Sequence, residues 1–283
     1  DKPKAIDCYK QALAFSRALG ERSLETSILV NLGAVYKAIG DNGQAVDLYR
    51  KAVEMAHALG DQAAAAAALT NVARIYDLMG DRQNAYATNQ QVLLVWRALG
   101  NLEGEAVTLK NLGALAEAEG RFVESLEYLT RALALSQAGG DLMREAYIRG
   151  DLARIERASG NFEQSREQIE QSLKIFESLR IQLLNPDVRA SFIAANRRYY
   201  EFYIDLLMQQ HLRSSNEAAD RPSQNYAAEA LRASESARAR ALADLIAEAR
   251  VDIRQGVDVS LLAREREVVQ TLMTKKAERA ALL

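Results

Sequence analysis

The chain has 283 residues, with 38 acidic against 36 basic side chains, a formal charge of −2 and a hydrophobic share of 49%. That near-balance gives no global attraction to nucleic acid or anionic lipid, and no apolar run approaches the roughly 20 residues that span a bilayer. The single cysteine, Cys8, rules out an internal disulfide, and 3 prolines beside abundant alanine argue for an all-α protein.

Residues 1–20 read as one amphipathic helix, with Ala5, Tyr9 and Ala12 on its packing face. Gly20 ends it, and Gly40, Gly60, Gly80, Gly100, Gly120, Gly140 and Gly160 recur at intervals of twenty. Each follows an amphipathic run and precedes a polar residue (Glu21, Asp41, Asp61, Asp81, Asn101, Arg121, Asp141, Asn161). That is the pattern of a helix stopping at a left-handed glycine while the next one starts. Two such helices make a forty-residue unit, giving a half-unit at 1–20 and units 21–60, 61–100, 101–140 and 141–180. A fixed period of this size marks a helical solenoid, whose units bury their apolar faces by stacking.

Within the first full unit, Leu29, Leu32 and Tyr36 share one face of the first helix. Gly33 and Ala45 are small where the two helices cross, and Tyr49 and Ala52 carry the seam onward. The second unit repeats the pattern as Leu69, Val72, Ala73, Tyr76, Ala85 and Val92, the third as Leu109, Leu112, Gly113, Ser125, Leu129 and Ala132. The fourth is weaker, with Leu152, Ala153, Ser165 and Ile169. From Ser178 the period breaks, with Arg180 in place of glycine. Asn185 and Pro186 then suit the cap and first turn of a long helix over about 187–212. Residues 213–225 read as a loop, 226–249 as an Ala/Arg-rich helix, 250–257 as a turn, and 258–283 as a last helix.

The small–large pattern resembles the tetratricopeptide repeat in its forty-residue, kinesin-light-chain-like form, over about 180 residues. Ala116 and Glu156 stand where the motif has a first-helix tyrosine, Asn89 where it has a second-helix aromatic, and the usual proline is absent. The resemblance implies a right-handed α-solenoid over 1–180, with degenerate or capping helices over 181–249. The stretches 198–208, 234–258 and 261–269 are similar to the junction between such repeats and a CHAT domain, a caspase- and separase-like module of large bacterial proteins. This implies a last helix, 250–283, leading to a domain that is absent. The chain reads as a piece of a longer protein, opening in mid-repeat.

In the repeat family the first helix of each unit lines a concave groove. Asn31, Asn71, Asn111 and Asp151 fall there once per unit. An amide both donates and accepts, so this ladder suits an extended peptide backbone; equally, it suits hydrogen bonds between units that set the pitch. Lys37, Arg74, Lys110, Arg154 and Arg157 belong to the same face, with Asp77 and Glu117 opposing them. That excess suggests acidic partner segments, beside the plainer reading of solvated surface charge. The chaperone-tail clamp of the family is matched only in part, because Val107 and Asn111 stand where it wants cations. Phe192, Tyr199, Tyr200, Phe202 and Tyr203 form a stripe at helical spacing, read as a core that closes the solenoid.

Catalytic constellations are not apparent. The histidines are His57 and His211, and nothing in the pattern brings Cys8 to either, as a Cys–His dyad requires. No phosphate loop, dinucleotide fingerprint or zinc spacing is present, so no cofactor or metal is expected. The expectation is a non-enzymatic, cytoplasmic interaction scaffold that binds a protein or peptide, with neither nucleic acid nor membrane as partner. It would serve as the regulatory arm of a CHAT protease-like protein and could self-associate through its last helix. The alternative is a signalling regulator whose solenoid encloses a short free peptide.

Overall fold

The computed structural model describes residues 2–183, 186–217 and 226–235, together with 261 and 264. Ten helices follow in order: α1 (Lys2–Leu19), α2 (Arg22–Ala38), α3 (Asn42–Ala58), α4 (Gln62–Leu78), α5 (Arg82–Ala98), α6 (Leu102–Ala118), α7 (Phe122–Ala138), α8 (Leu142–Ala158), α9 (Phe162–Gln182) and α10 (Pro186–Glu217). Residues 226–235 are helical as well, and no strand occurs among the described residues. Each helix packs on the next in sequence, from α1 through α10. The result is a helical solenoid.

The twenty-residue period is a backbone device. At Gly40, φ is +88°, which a side chain disfavours. Its N–H donates to Lys37 C=O at 3.0 Å, and the next N–H, of Asp41, donates to Tyr36 C=O at 3.0 Å. These are the two reverse bonds of a Schellman stop. Asp41 then caps α3, its Oδ1 accepting from Gln44 N–H at 3.0 Å. One glycine and one acid therefore end a helix and begin another with no further linker. Asp61, Asp81, Asn101 and Asp141 cap in the same way. Glu21, Arg121 and Asn161 make no such bond. Glutamate is a methylene longer than the capping acids, arginine has no acceptor, and the Asn161 amide instead donates to Glu156 at 2.7 Å.

Size reciprocity sets the seam between the two helices of a unit. A Cβ on Gly33 would lie 2.9 Å from Tyr49 Cε1, and one on Gly113 would lie 2.9 Å from Leu129 Cγ. Where the first helix carries Ala73 or Ala153 instead, the facing residue is Asn89 or Ile169 rather than tyrosine. In the last two units a hydroxyl adds a clasp, Ser125 donating to Gly113 C=O at 2.8 Å and Ser165 to Ala153 C=O at 2.7 Å. The same logic joins α5 to α6, where Trp96 lies on Gly104 with no room for a Cβ (2.3 Å).

At the C-terminal end α10 takes the place of a further first helix. Tyr199 seats against Gly150 of α8, within reach of Phe176 (ring centroids 5.1 Å) and Tyr147 (6.1 Å). Tyr199 and Tyr200 are buried, while Phe192, Phe202 and Tyr203 pack half-buried on the same cluster with Ile169 and Phe176. Tyr226 and Ala230 of the following helical segment close over Leu207, and Arg166 of α9 pairs with Glu229 at 2.7 Å. Residues 213–217, expected as the start of a loop, are helical, since α10 continues to Glu217. Ser214 there returns its hydroxyl to His211 C=O at 2.9 Å, which satisfies it inside the helix. The cap at Asn185, most of the expected loop, residues 236–249 of the Ala/Arg-rich helix, the turn at 250–257, and the last helix apart from 261 and 264 lie outside the described residues.

Candidate functional site

The even-numbered helices stand side by side. α2 touches α4, and α4 touches α6, past the helix between them. Ion pairs join α6 to α8 and α8 to α10. On this even-helix face three positions repeat at successive turns. The first holds Asn31, Asn71, Asn111 and Asp151. The second holds Ala34, Arg74, Ala114 and Arg154, and the third holds Lys37, Asp77, Glu117 and Arg157. All are exposed or half-buried, so the fold leaves the row open along its length.

The C-terminal half of the row is neutralised by the protein itself. Arg154 grips Glu117 of the neighbouring helix with two bonds of 2.6 Å and reaches Asp151 at 3.2 Å. The Glu117 bonds, ahead of the other contributions, hold its guanidinium above the ordinary value. Lys110 lies 3.6 Å from Asp151. Arg157 pairs with Asp205 of α10 at 2.9 Å and covers the Phe202 ring at 5.0 Å. Here the contacts between units are real, and Asp151 belongs to them.

The N-terminal half differs. Lys37 and Arg74 have no carboxylate partner among the described residues, and Asp77 pairs with neither. Burial, and then the charge of Arg74, push the Lys37 ammonium below its usual pKa. Beneath them Tyr49 is wholly buried, and its hydroxyl has no hydrogen-bond partner. Burial raises that phenol while the Arg74 charge pulls it back, so Arg74 acts on both neighbours.

The asparagine ladder is not uniform. Asn31 is exposed, the Asn71 amide donates to Ala67 C=O of its own helix at 3.2 Å, and the Asn111 amide nitrogen is buried without a partner. Neither Asn31 nor Asn71 bridges two units. The Tyr49 hydroxyl and the Asp205 contact were missing from the sequence reading of this face. Tyr49 was visible as a seam residue, but not that its polar end lacks a partner. Asp205 lies on a helix outside the period.

The remaining candidates for chemistry are dispersed. Cys8 is exposed on α1, His57 is exposed on α3, and His211 lies on α10. Among the described residues no three His, Cys, Asp or Glu side chains are placed to hold a metal, and no helix is long and apolar enough to cross a membrane.

Stacked helix hairpins presenting an open, polar row define an interaction solenoid. The tetratricopeptide repeat model matches residues 3–58, 64–138 and 104–178. The chain therefore belongs to the tetratricopeptide repeat family. Among solved structures, BtubC (BKLC) from P. vanneervenii superposes with a TM-score of 0.61 at 17% identity, over 80% of this chain and 96% of that one. A kinesin-light-chain-type protein of nearly identical TPR-like repeats from Podosopora anserina gives 0.53 at 19% identity, over 75% and 92%. These likenesses are of fold. No curated protein sequence matches the chain significantly.

Proposed function

We propose that this interaction scaffold holds an extended peptide or protein segment along the even-helix face, with Asn31, Asn71, Asn111 and Asp151 at its backbone. Lys37, Arg74, Lys110 and Arg154 are the cations beside it, of which Lys110 and Arg154 are already paired with carboxylates of the fold. The observation that supports the reading is that Asn31 and Arg74 are exposed and Asn71 and Lys37 half-buried, while no described hydrogen bond or ion pair between units uses them. An exposed amide matches the unpaired donors and acceptors of an extended chain without reading its side chains. The similarity of the C-terminal stretches to a repeat–CHAT junction supports the further reading that the solenoid is the regulatory arm of a larger protease-like protein. Partner binding would then act on the helices that follow α9.

The test is capture of a displayed library of random linear peptides by the chain. The reading expects Asn31→Ala with Asn71→Ala to weaken captured peptides by roughly 10-fold while leaving the unfolding midpoint in place. Unchanged capture, or a loss of capture that tracks a loss of fold, would overturn it.

A further inference from the structure

The two halves of the even-helix face treat charge in opposite ways. Lys110, Arg154 and Arg157 each meet a carboxylate from a neighbouring helix. Lys37 and Arg74 meet none among the described residues, although Lys37 is half-buried. Arg74 is flanked at the equivalent positions by Ala34 and Ala114, whose methyl groups offer no counter-charge. Directly below, Gly33 admits the Tyr49 ring to within 2.9 Å of where its own Cβ would stand. This carries a wholly buried tyrosine between α2 and α4, one turn before Lys37, with its hydroxyl orphaned. Two uncompensated cations over an unsatisfied buried hydroxyl all favour the same thing, an anion, and without one the half-buried Lys37 ammonium and the buried Tyr49 hydroxyl both carry a desolvation cost.

We propose that Lys37, Arg74 and Tyr49 form a carboxylate subsite that takes one acidic residue of the bound peptide. The proposal rests on the peptide reading of this face and adds what is recognised there and at which end. Arg74 and Lys37 supply charge-assisted donors from two adjacent helices. When their flexible side chains rise to meet the carboxylate, the Tyr49 hydroxyl gains an acceptor. The self-neutralised half, from Lys110 to Arg157, contributes no such preference. A bound segment is therefore held with its acidic residue against α2 and α4 and its remaining length over α6 and α8.

Two libraries of random linear peptides, one with a blocked and one with a free C-terminus, test this on the full chain. The expected result is an Asp or Glu fixed at one position in the blocked library. Enrichment confined to the free-C-terminus library would still support the subsite and assign the carboxylate to the chain end. A selected peptide, resynthesised, should lose roughly 10-fold in affinity on Lys37→Gln and again on Arg74→Gln. Arg74→Glu should recover binding when the peptide's acid is replaced by lysine. Pools without a fixed acid, or an acid indifferent to both cations, overturn the subsite. If such peptides are still weakened by Asn31→Ala with Asn71→Ala, the peptide reading survives that failure. If those changes also have no effect, the peptide reading itself falls. A ligand-free measurement stands beside this. In low-salt buffer Arg74→Gln and Tyr49→Phe are expected to be at least as stable as the parent, and a fall in either midpoint would mean these groups serve the fold.

Discussion

Gly150→Ala isolates the contact that ends the regular array. In the middle of α8 the exchange taken alone favours the helix by about 1 kcal/mol. The new methyl, however, would lie 2.1 Å from Tyr199 Cε1 and 2.6 Å from Cδ1. The ring has little freedom to yield, because Phe176 packs at 5.1 Å, Arg198 covers it at 4.8 Å and also donates to its hydroxyl at 2.8 Å. Overpacking of this kind costs about 1–3 kcal/mol, so the net expectation is a loss of up to about 2 kcal/mol. Gly43→Ala is the control. Its Cβ would meet only Asp41 Oδ1 at 3.7 Å, an ordinary contact, so it should gain a part of the helix term, reduced because Gly43 lies in the first turn of α3. Because a solenoid unfolds through local units, the assay is hydrogen exchange along α10 together with urea unfolding. Faster exchange in α10 is expected for Gly150→Ala and not for Gly43→Ala, with the defect largely removed in a Tyr199→Leu background. Equal gains at both glycines, or a cost that persists undiminished without the tyrosine ring, would refute the reasoning.

Asn89→Leu should stabilise by up to about 1 kcal/mol in thermal unfolding, since it removes a buried oxygen with no partner, a gain offset in part by loss of the amide's bond to Ala85 C=O at 2.8 Å. Ser125→Ala should cost about 1 kcal/mol by the same measurement, through loss of the bond to Gly113 C=O. Arg154→Gln should cost no more than about 1 kcal/mol, because its side chain is 47% exposed, and the loss should shrink in high salt. Tyr49, Tyr128, Tyr199, Tyr203 and Tyr226 are all held above the ordinary phenol value, with burial the largest cause. Their raised folded values give stability that is full below about pH 10 and lost as pH rises through them. Lys37 runs the other way, its penalty easing as pH approaches 10.5, but five phenols outweigh one ammonium. Absorbance at the tyrosinate band should therefore lag behind a free-tyrosine titration and complete only with unfolding; a single step at the free value would contradict the burial.

The period, the helix pairing and the positions of the even-helix row were legible in the sequence because their causes are local. A glycine at positive φ and an acid one residue later fix a helix end without reference to any distant group, which is why Gly40 and Asp41 announce their structure. The same locality failed at Glu21, Arg121 and Asn161, where the residue class was polar but length, donor character or a competing partner removed the cap. What the row does with its charges was not legible, because neutralisation depends on which residue lies across from which on the adjacent helix. Asn111 and Asp151 occupy one register, yet only the carboxylate can join Lys110 and Arg154 in a network across α6 and α8. Asp77 and Glu117 also share a register, but an arginine stands opposite Glu117 and none stands opposite Asp77. Register therefore placed the polar groups, and lateral packing decided which of them the fold itself consumes. Lys37 and Arg74 are the cations on this face left over from that assignment, and this is the physical ground on which the proposed carboxylate subsite stands.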